Sequence, residues 1–211
     1  SVITPIMLGV CIGAIASGAI TVANGVVTRG FFTAWLAPFP WAVGVFALVQ
    51  FAFLAAVYLT VEATDDALRE DFRRRGLGAA IALGVVALVV FLLSASGAPR
   101  IRAGISASPW AWPLQISTGI AALGAIGALW RRHFLLARTL AAAQITLILL
   151  GWAAAQYPYL VEPDITIFDA AAPAITLQLL LTALSVGALL LFPSLYVLFR
   201  IFKGPDVFSL G

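Results

Sequence analysis

The feature that most constrains this chain is a series of long segments almost without charge, each about the length of a membrane-spanning helix. A helix that crosses a bilayer needs about 20 mainly apolar residues, because the hydrocarbon core is about 30 Å thick. Six segments meet this requirement, at residues 2–22, 41–61, 77–93, 110–130, 134–157 and 174–199. The sequence therefore predicts helices that cross a membrane and are joined by short connections.

The composition agrees with this interpretation. Of the 211 residues, 63% are hydrophobic and 10% are charged, whereas an ordinary soluble domain carries about 25% charged residues. We predict an all-α protein, a polytopic transmembrane helix bundle with about six membrane-spanning helices, as a single transmembrane domain over residues 1–211. The small net charge of +3 gives no sign of a nucleic-acid partner. Membrane lipid is the expected surrounding.

The basic residues are distributed unevenly between the two sides that alternating helices define. One side receives Arg69, Arg73, Arg74, Arg75, Arg131, Arg132, Arg138, Arg200 and Lys203, and the other receives Arg29, Arg100 and Arg102. Basic residues accumulate on the cytoplasmic side of membrane proteins. The first side is therefore predicted to be cytoplasmic, with both chain ends on it and residues 151–173 facing outward. The charged stretch 62–75 is expected to extend the second helix or to form a short surface helix.

Small residues in the first segment suggest helix contacts. Gly9 and Gly13 are four residues apart, a spacing that lets two membrane helices approach closely. Glycine is also simply common in membrane helices. We take both residues as interface or structural candidates.

The chain offers little chemistry of its own. A haem needs axial ligands such as His, Met or Cys, and the sequence has one of each, His133, Met7 and Cys11. Met7 and Cys11 are spaced for packing on one helix face, and His133 lies in a basic turn. We therefore predict no catalytic, cofactor-binding or metal-binding residues in this chain. Gln50, inside the second segment, is expected to hydrogen-bond to a neighbouring helix.

The stretch at residues 151–173, GWAAAQYPYLVEPDITIFDAAAP, is the least generic part of the sequence. Pro158 should end the helix that arrives through Trp152, because proline has no backbone donor. Asp169 is suited to the N-terminal region of the next helix, where carboxylates are favoured. The structural or interface candidates in this stretch are Trp152, Gln156, Tyr157, Pro158 and Asp169.

This stretch, followed by Pro193, Tyr196 and FRIFKG at 199–204, resembles the C-terminal part of subunit II of the cytochrome bd quinol oxidases. TPIMLGVCIGAIASG at 4–18 and WLAPFPWAVGVFAL at 35–48 are also similar to that family. The resemblance covers the C-terminal six-helix part, about two-thirds of such a subunit. Its N-terminal helices, with their Asp-Gly-Phe-Asp and Trp-Asp-Gly-Asn elements, are absent from this sequence.

The resemblance implies a role as the non-haem subunit of a respiratory quinol oxidase in the bacterial cytoplasmic (inner) membrane. In that family, haem b and haem d belong to the partner subunit I, and quinol is the substrate of the complex. A small accessory single-helix subunit is a further partner that the resemblance leaves open. The complex oxidises quinol, reduces dioxygen to water and takes protons from the cytoplasm.

Two other functions remain compatible with the sequence. The first is a secondary transporter or permease component, which would need polar groups near the bilayer midplane. The segment interiors offer only Gln50, Gln144, Gln178 and a few hydroxyl groups. The second is a membrane scaffold without a redox partner.

Overall fold

The structure is a computed structural model that describes residues 2–23, 26–29 and 32–203. Seven α-helices and two short hairpins form the described part, which confirms the predicted helical membrane fold. In chain order the elements are α1 (Ile3–Ala16), β1 (Val22–Ala23), β2 (Val26–Val27), α2 (Pro38–Glu62), α3 (Asp66–Gly97), α4 (Pro99–Ala107), α5 (Ala111–Trp130), α6 (Phe134–Gln156), β3 (Tyr159–Val161), β4 (Ile165–Thr166) and α7 (Ala174–Lys203).

Five helices of the described part, α2, α3, α5, α6 and α7, are long and apolar enough to cross a membrane. The first predicted segment is shorter than expected. Helix α1 has 14 residues, which at 1.5 Å per residue gives about 21 Å, less than the roughly 30 Å of a hydrocarbon core. It ends where the Ser17 hydroxyl donates to the Ala14 carbonyl at 2.7 Å and Gly18 adopts a φ of 70°. Glycine takes this left-handed conformation without strain.

The loops between the apolar segments contain more structure than the sequence predicted. The charged stretch 62–75 neither extends α2, which ends at Glu62, nor forms a separate short helix, so that prediction is wrong. Most of it forms the first turns of α3, and the carboxylate of Asp65 caps that helix by accepting from the Ala67 amide at 3.3 Å. Pro99 begins α4 in the connection between the apolar segments at 77–93 and 110–130, in agreement with the preference of proline for the first helical turn. The chain also forms antiparallel hairpins between β1 and β2 and between β3 and β4.

The chain divides into two compact units, residues Ser1–Asp169 and Ala170–Gly211. In the first unit, α2 packs against α1 and α3, and α5 packs against α6. Its larger core is built from residues of α2, α3, α5 and α6, namely Phe53, Val57, Leu83, Ala125, Ala128, Leu129, Ala137 and Ala141. Half of these side chains are alanine, which allows the helix backbones to approach closely.

The second unit contains α7, a single apolar helix with Pro193 inside it. Proline removes one backbone donor and usually bends a helix. The Ser194 hydroxyl, next in the chain, donates to the Leu190 carbonyl at 2.7 Å. The helix begins at Ala174, and the Pro173 carbonyl accepts from the amides of Thr176 and Leu177.

Candidate functional site

Helices α1 and α2 meet at three glycines. A Cβ atom on Gly9 would lie 2.6 Å from the Val43 carbonyl oxygen, and one on Gly13 would lie 2.6 Å from the Pro40 Cα. Gly44 makes the reciprocal approach, since its Cβ would lie 2.8 Å from the Ile6 carbonyl oxygen. The two glycines singled out in the sequence therefore face α2, with backbone against backbone.

Gly9 and Gly13 also line a cavity of about 490 Å³ within the first unit. Residues from helices α1 to α6 contribute to its wall, which is mostly apolar. Trp152 also lines it, so three of the residues predicted from sequence lie around one space. We call this space the central cavity.

Two polar side chains of the central cavity have a buried donor without a partner among the described residues. They are Gln50, through its Nε2, and Trp152, through its Nε1. The expected bond from Gln50 to a neighbouring helix is therefore not made by this nitrogen. Buried donors are normally satisfied. The arrangement suits a molecule that is mainly apolar and carries an acceptor oxygen, or a water molecule.

A polar cluster closes the end of the first unit where α6 finishes. Helix α6 ends at Gln156, directly before the Tyr157–Pro158 pair, as the position of the proline predicted. The side chain of Gln156 is buried, and neither its nitrogen nor its oxygen has a partner in the described part. Tyr157 is exposed and its ring meets that of Phe168 edge-on, with the centroids 6.4 Å apart.

Glu162 is the buried carboxylate of this cluster and was not singled out from sequence. Its Oε1 lies 3.3 Å from the Nε of Arg100 on α4, and the Arg100 guanidinium stacks over the Tyr159 ring at 4.6 Å. The backbone amide of Glu162 donates to the Ile15 carbonyl of α1 at 3.4 Å. Burial raises the pKa of Glu162, and the positive charge of Arg100 opposes that rise. Only a three-dimensional contact joins these residues, so sequence spacing gave no signal.

The segment after Glu162 also contacts the first hairpin. The Asp164 carboxylate accepts from the Val22 amide at 2.7 Å. Together with the bond to Ile15, this ties residues 158–169 to the end of α1. The side of the bundle predicted to face outward thus forms one connected surface.

Asp169 has a different local role from the one expected. Its Oδ2 accepts from the Thr166 amide at 3.1 Å and from the Thr166 hydroxyl at 2.6 Å. These hydrogen bonds hold the pKa of Asp169 below its usual value. Helix α7 begins only at Ala174. The carboxylate therefore closes the turn after β4, and the interpretation as a helix N-terminal charge is corrected.

The potential haem or metal ligands are scattered in the described part of the chain. His133 is exposed in the turn between α5 and α6, whereas Met7 and Cys11 lie on α1. Among the described residues, no group of three or more His, Cys, Asp or Glu side chains could hold a metal ion. Arg138, one of the basic residues assigned to the cytoplasmic side, pairs with Glu62 at 3.6 Å and stacks on Tyr58 at 4.4 Å.

Comparison with known proteins finds a match to a family model and a similarity in fold to a solved structure. A family model described as cytochrome bd terminal oxidase subunit II matches residues 1–202. Among solved structures, one similar chain comes from the bd oxidase of Geobacillus thermodenitrificans, with a TM-score of 0.72 and 22% identity. The match covers 95% of this chain but 61% of that chain, so this chain spans less than two-thirds of its length. None of the curated proteins matches.

Proposed function

This chain belongs to the family of cytochrome bd terminal oxidase subunit II, and from that premise we propose that it is the non-haem subunit of a membrane-bound quinol:dioxygen oxidoreductase. The observation that carries the proposal is the family match over residues 1–202. The chain is an integral membrane protein, and the family belongs to a respiratory enzyme complex. The proposal concerns which subunit holds the haems and oxidises quinol and which subunit has a structural role.

In the proposed complex, a partner subunit I holds haem b and haem d and oxidises quinol. The residues of this chain do not fit a haem of its own. Axial ligation needs a His, Met or Cys held beside a haem-sized space, and His133 is exposed in the turn between α5 and α6 instead. Met7 is also exposed, and Cys11 is half-buried on the same short helix. The scattered positions of these three side chains favour the proposal that this chain is the non-haem subunit.

The proposed contribution of this chain is structural. Helices α1 and α2 are in close contact through glycines, and subunit I and any small single-helix accessory subunit would pack against the helix bundle of this chain. Membrane helices associate through packing and hydrogen bonds rather than hydrophobic force. The complex would lie in the bacterial cytoplasmic membrane with both ends of this chain in the cytoplasm. Protons for reducing dioxygen to water would enter from that side.

Deletion of this chain in its source organism tests the proposal. Membranes from the deletion strain should lose the quinol oxidase activity and the absorption band of d-type haem together. Supplying the chain from a plasmid should restore both. The control is a plasmid that carries the same gene with an early stop codon.

A transporter component would behave differently. In that case the deletion would leave the oxidase activity and the haem bands unchanged and would abolish the uptake or export of a solute. That result would reject the oxidase role while leaving the membrane fold intact.

A further inference from the structure

At the end of the first unit opposite the Glu162 cluster, α3 begins and the chain turns from α5 into α6. Three carboxylates at this end each pair with one arginine. The pairs are Asp66 with Arg69 at 2.9 Å, Asp71 with Arg75 at 2.8 Å and Glu62 with Arg138 at 3.6 Å. Each of these pairs has no net charge.

Glu70 is different because three arginines contact its single carboxylate. Arg73 binds it with both the Nε and Nη2 atoms, at 2.8 Å and 2.5 Å. The Nε of Arg74 lies 3.5 Å from Oε1, and the Nε of Arg132 lies 3.4 Å from Oε2. We call these four residues the arginine cluster. It carries two positive charges in excess.

Arg73 satisfies Glu70, and the other two guanidiniums remain available. The side chain of Arg73 is only 15% exposed, whereas those of Arg74 and Arg132 are 75% and 66% exposed. Within the described part of the chain, neither has an ion pair other than its long contact with Glu70. Both contact the same carboxylate, so the two guanidiniums lie near one another at this end of the unit.

The backbone at Arg132 adds a second, independent observation. Helix α5 ends with the His133 amide donating to the Ala128 carbonyl at 2.8 Å and the Arg132 amide donating to Leu129 at 3.2 Å. This helix ending usually places glycine in the left-handed position. Here Arg132 occupies it with a φ of 60°, which is uncommon for a residue with a side chain. The turn between α5 and α6 thus has an arginine at a backbone position that glycine would fill more easily.

Apolar side chains flank the cluster in the chain. Trp130 and Leu135 stand on either side of the turn and are 72% and 71% exposed. The turn joins two helices that are long enough to cross a membrane, so it lies at a membrane surface. Tryptophan concentrates at that boundary, with its ring among the glycerol and upper acyl groups.

We propose that the arginine cluster binds the phosphate of an anionic phospholipid in the adjacent leaflet. Arg74 and Arg132 would each donate to the phosphate oxygens, for which a planar guanidinium is well suited. Trp130 and Leu135 would contact the glycerol and acyl portion. The apolar flank favours a lipid over a free phosphate or nucleotide, because a soluble anion would use only the cations.

The test uses the whole assembly purified from native membranes in neutral detergent. Native mass spectrometry would follow the binding of added phosphatidylglycerol, with phosphatidylcholine as the neutral lipid. Arg74→Gln should weaken the apparent Kd for phosphatidylglycerol by about tenfold, as expected for loss of one charge-assisted bond. Arg132→Gln should do the same, and neither should change phosphatidylcholine binding.

Arg75→Gln is the matched control. Arg75 follows Arg74 in α3 and is 69% exposed, but it is paired with Asp71. The substitution removes the same charge as Arg74→Gln. It should change phosphatidylglycerol binding by less than about twofold. Equal losses in Arg75→Gln and Arg74→Gln would mean diffuse attraction without a site and would overturn the proposal.

Two further outcomes decide the matter. Unchanged phosphatidylglycerol binding in both Arg74→Gln and Arg132→Gln would also overturn it. Millimolar inorganic phosphate should not displace the lipid from the wild-type assembly, and displacement would indicate a site for soluble anions. Arg74→Lys, which keeps the charge on an exposed side chain, should retain most of the binding and controls for misassembly.

Discussion

At the scale of the single residue, Glu162 makes the clearest prediction about pH. A buried carboxyl whose pKa is raised above its unfolded value of 4.5 keeps its proton longer in the folded state. The folded state then binds more protons than the unfolded state as the pH rises past that value, so stability falls with rising pH. We expect the thermal midpoint of the purified assembly to decline as the pH rises from 4.5 to the raised folded-state pKa of Glu162 and this contribution to level off above it, and we expect the decline to be smaller in Glu162→Gln.

Asp169 provides the contrast, because its pKa is lowered by Thr166. Its stabilising contribution is fully present above the unfolded value of 3.8 and is lost only as the pH falls below it. Asp169→Asn should therefore lower the midpoint by a similar amount throughout the range above pH 4.5. For Glu162, the contradicting result is a Glu162→Gln variant whose thermal midpoint changes with pH as steeply as that of the wild type. Burial of Glu162 would then not control its ionisation.

Individual residues were predictable from sequence only where a local pattern determines their role. The spacing of Gly9 and Gly13 indicated a close helix approach, and Pro158 indicated the end of a helix. The pairing of Glu162 with Arg100 joins residues far apart in the chain, so no local pattern encodes it. For Gln50, the usual behaviour of a buried amide predicted a hydrogen-bond partner, but its Nε2 has none in the described part.

At the scale of the element, the close contact between α1 and α2 can be tested by the substitution Gly9→Ala, which adds one methyl group. Gly9→Ala would bring a Cβ to 2.6 Å from a backbone oxygen of α2 and 2.7 Å from the Gly44 Cα. Neither backbone atom can rotate away, so the helices must separate. Overpacking of this kind destabilises by roughly 1–3 kcal/mol. The thermal midpoint of the assembly, or its yield, should fall.

Gly84→Ala is the matched control on α3, where an added Cβ would meet nothing within 4 Å in this chain. Alanine is favoured over glycine in a helix by up to about 1 kcal/mol. This variant should therefore be neutral or slightly stabilising. Similar effects of the two substitutions would show that α1 and α2 are not in close contact.

The elements themselves were predictable where hydropathy and length act together, as in α2, α5 and α6. Hydropathy could not locate the ends that depend on hydrogen bonds. The apolar run at residues 2–22 continues past Ser17, yet the helix stops there. The charged stretch 62–75 was expected to extend the second helix or to form a short surface helix, but ion pairs at helical spacing and the Asp65 cap make residues 66–75 part of α3.

At the scale of the whole molecule, the charge bias predicts the orientation. Single cysteines at Ile167 and at His133 would be introduced after Cys11 is replaced by serine. A membrane-impermeant maleimide should label Ile167→Cys in intact cells and His133→Cys only after the membrane is opened. The structure places these two positions in turns at opposite ends of α6. Labelling of His133→Cys in intact cells would reverse the orientation and the proposed side of proton entry.

Family membership at this scale was predictable because residues 151–173 form an unusual sequence, not because of the fold. Long apolar helices are common to many membrane proteins. The central cavity, by contrast, needs six helices to form its wall. Its volume depends on how those helices pack together, which no single segment determines.

We propose that this chain supports an oxidase without binding haem, and the haem content of the assembly is the decisive measurement for that proposal. An assembly purified through a tag on this chain should show the absorption bands of b-type and d-type haem. A variant with His133→Ala, Met7→Leu and Cys11→Ser should carry the same amount of haem per complex. Loss of a haem band from this variant, with the complex still assembled, would contradict the account.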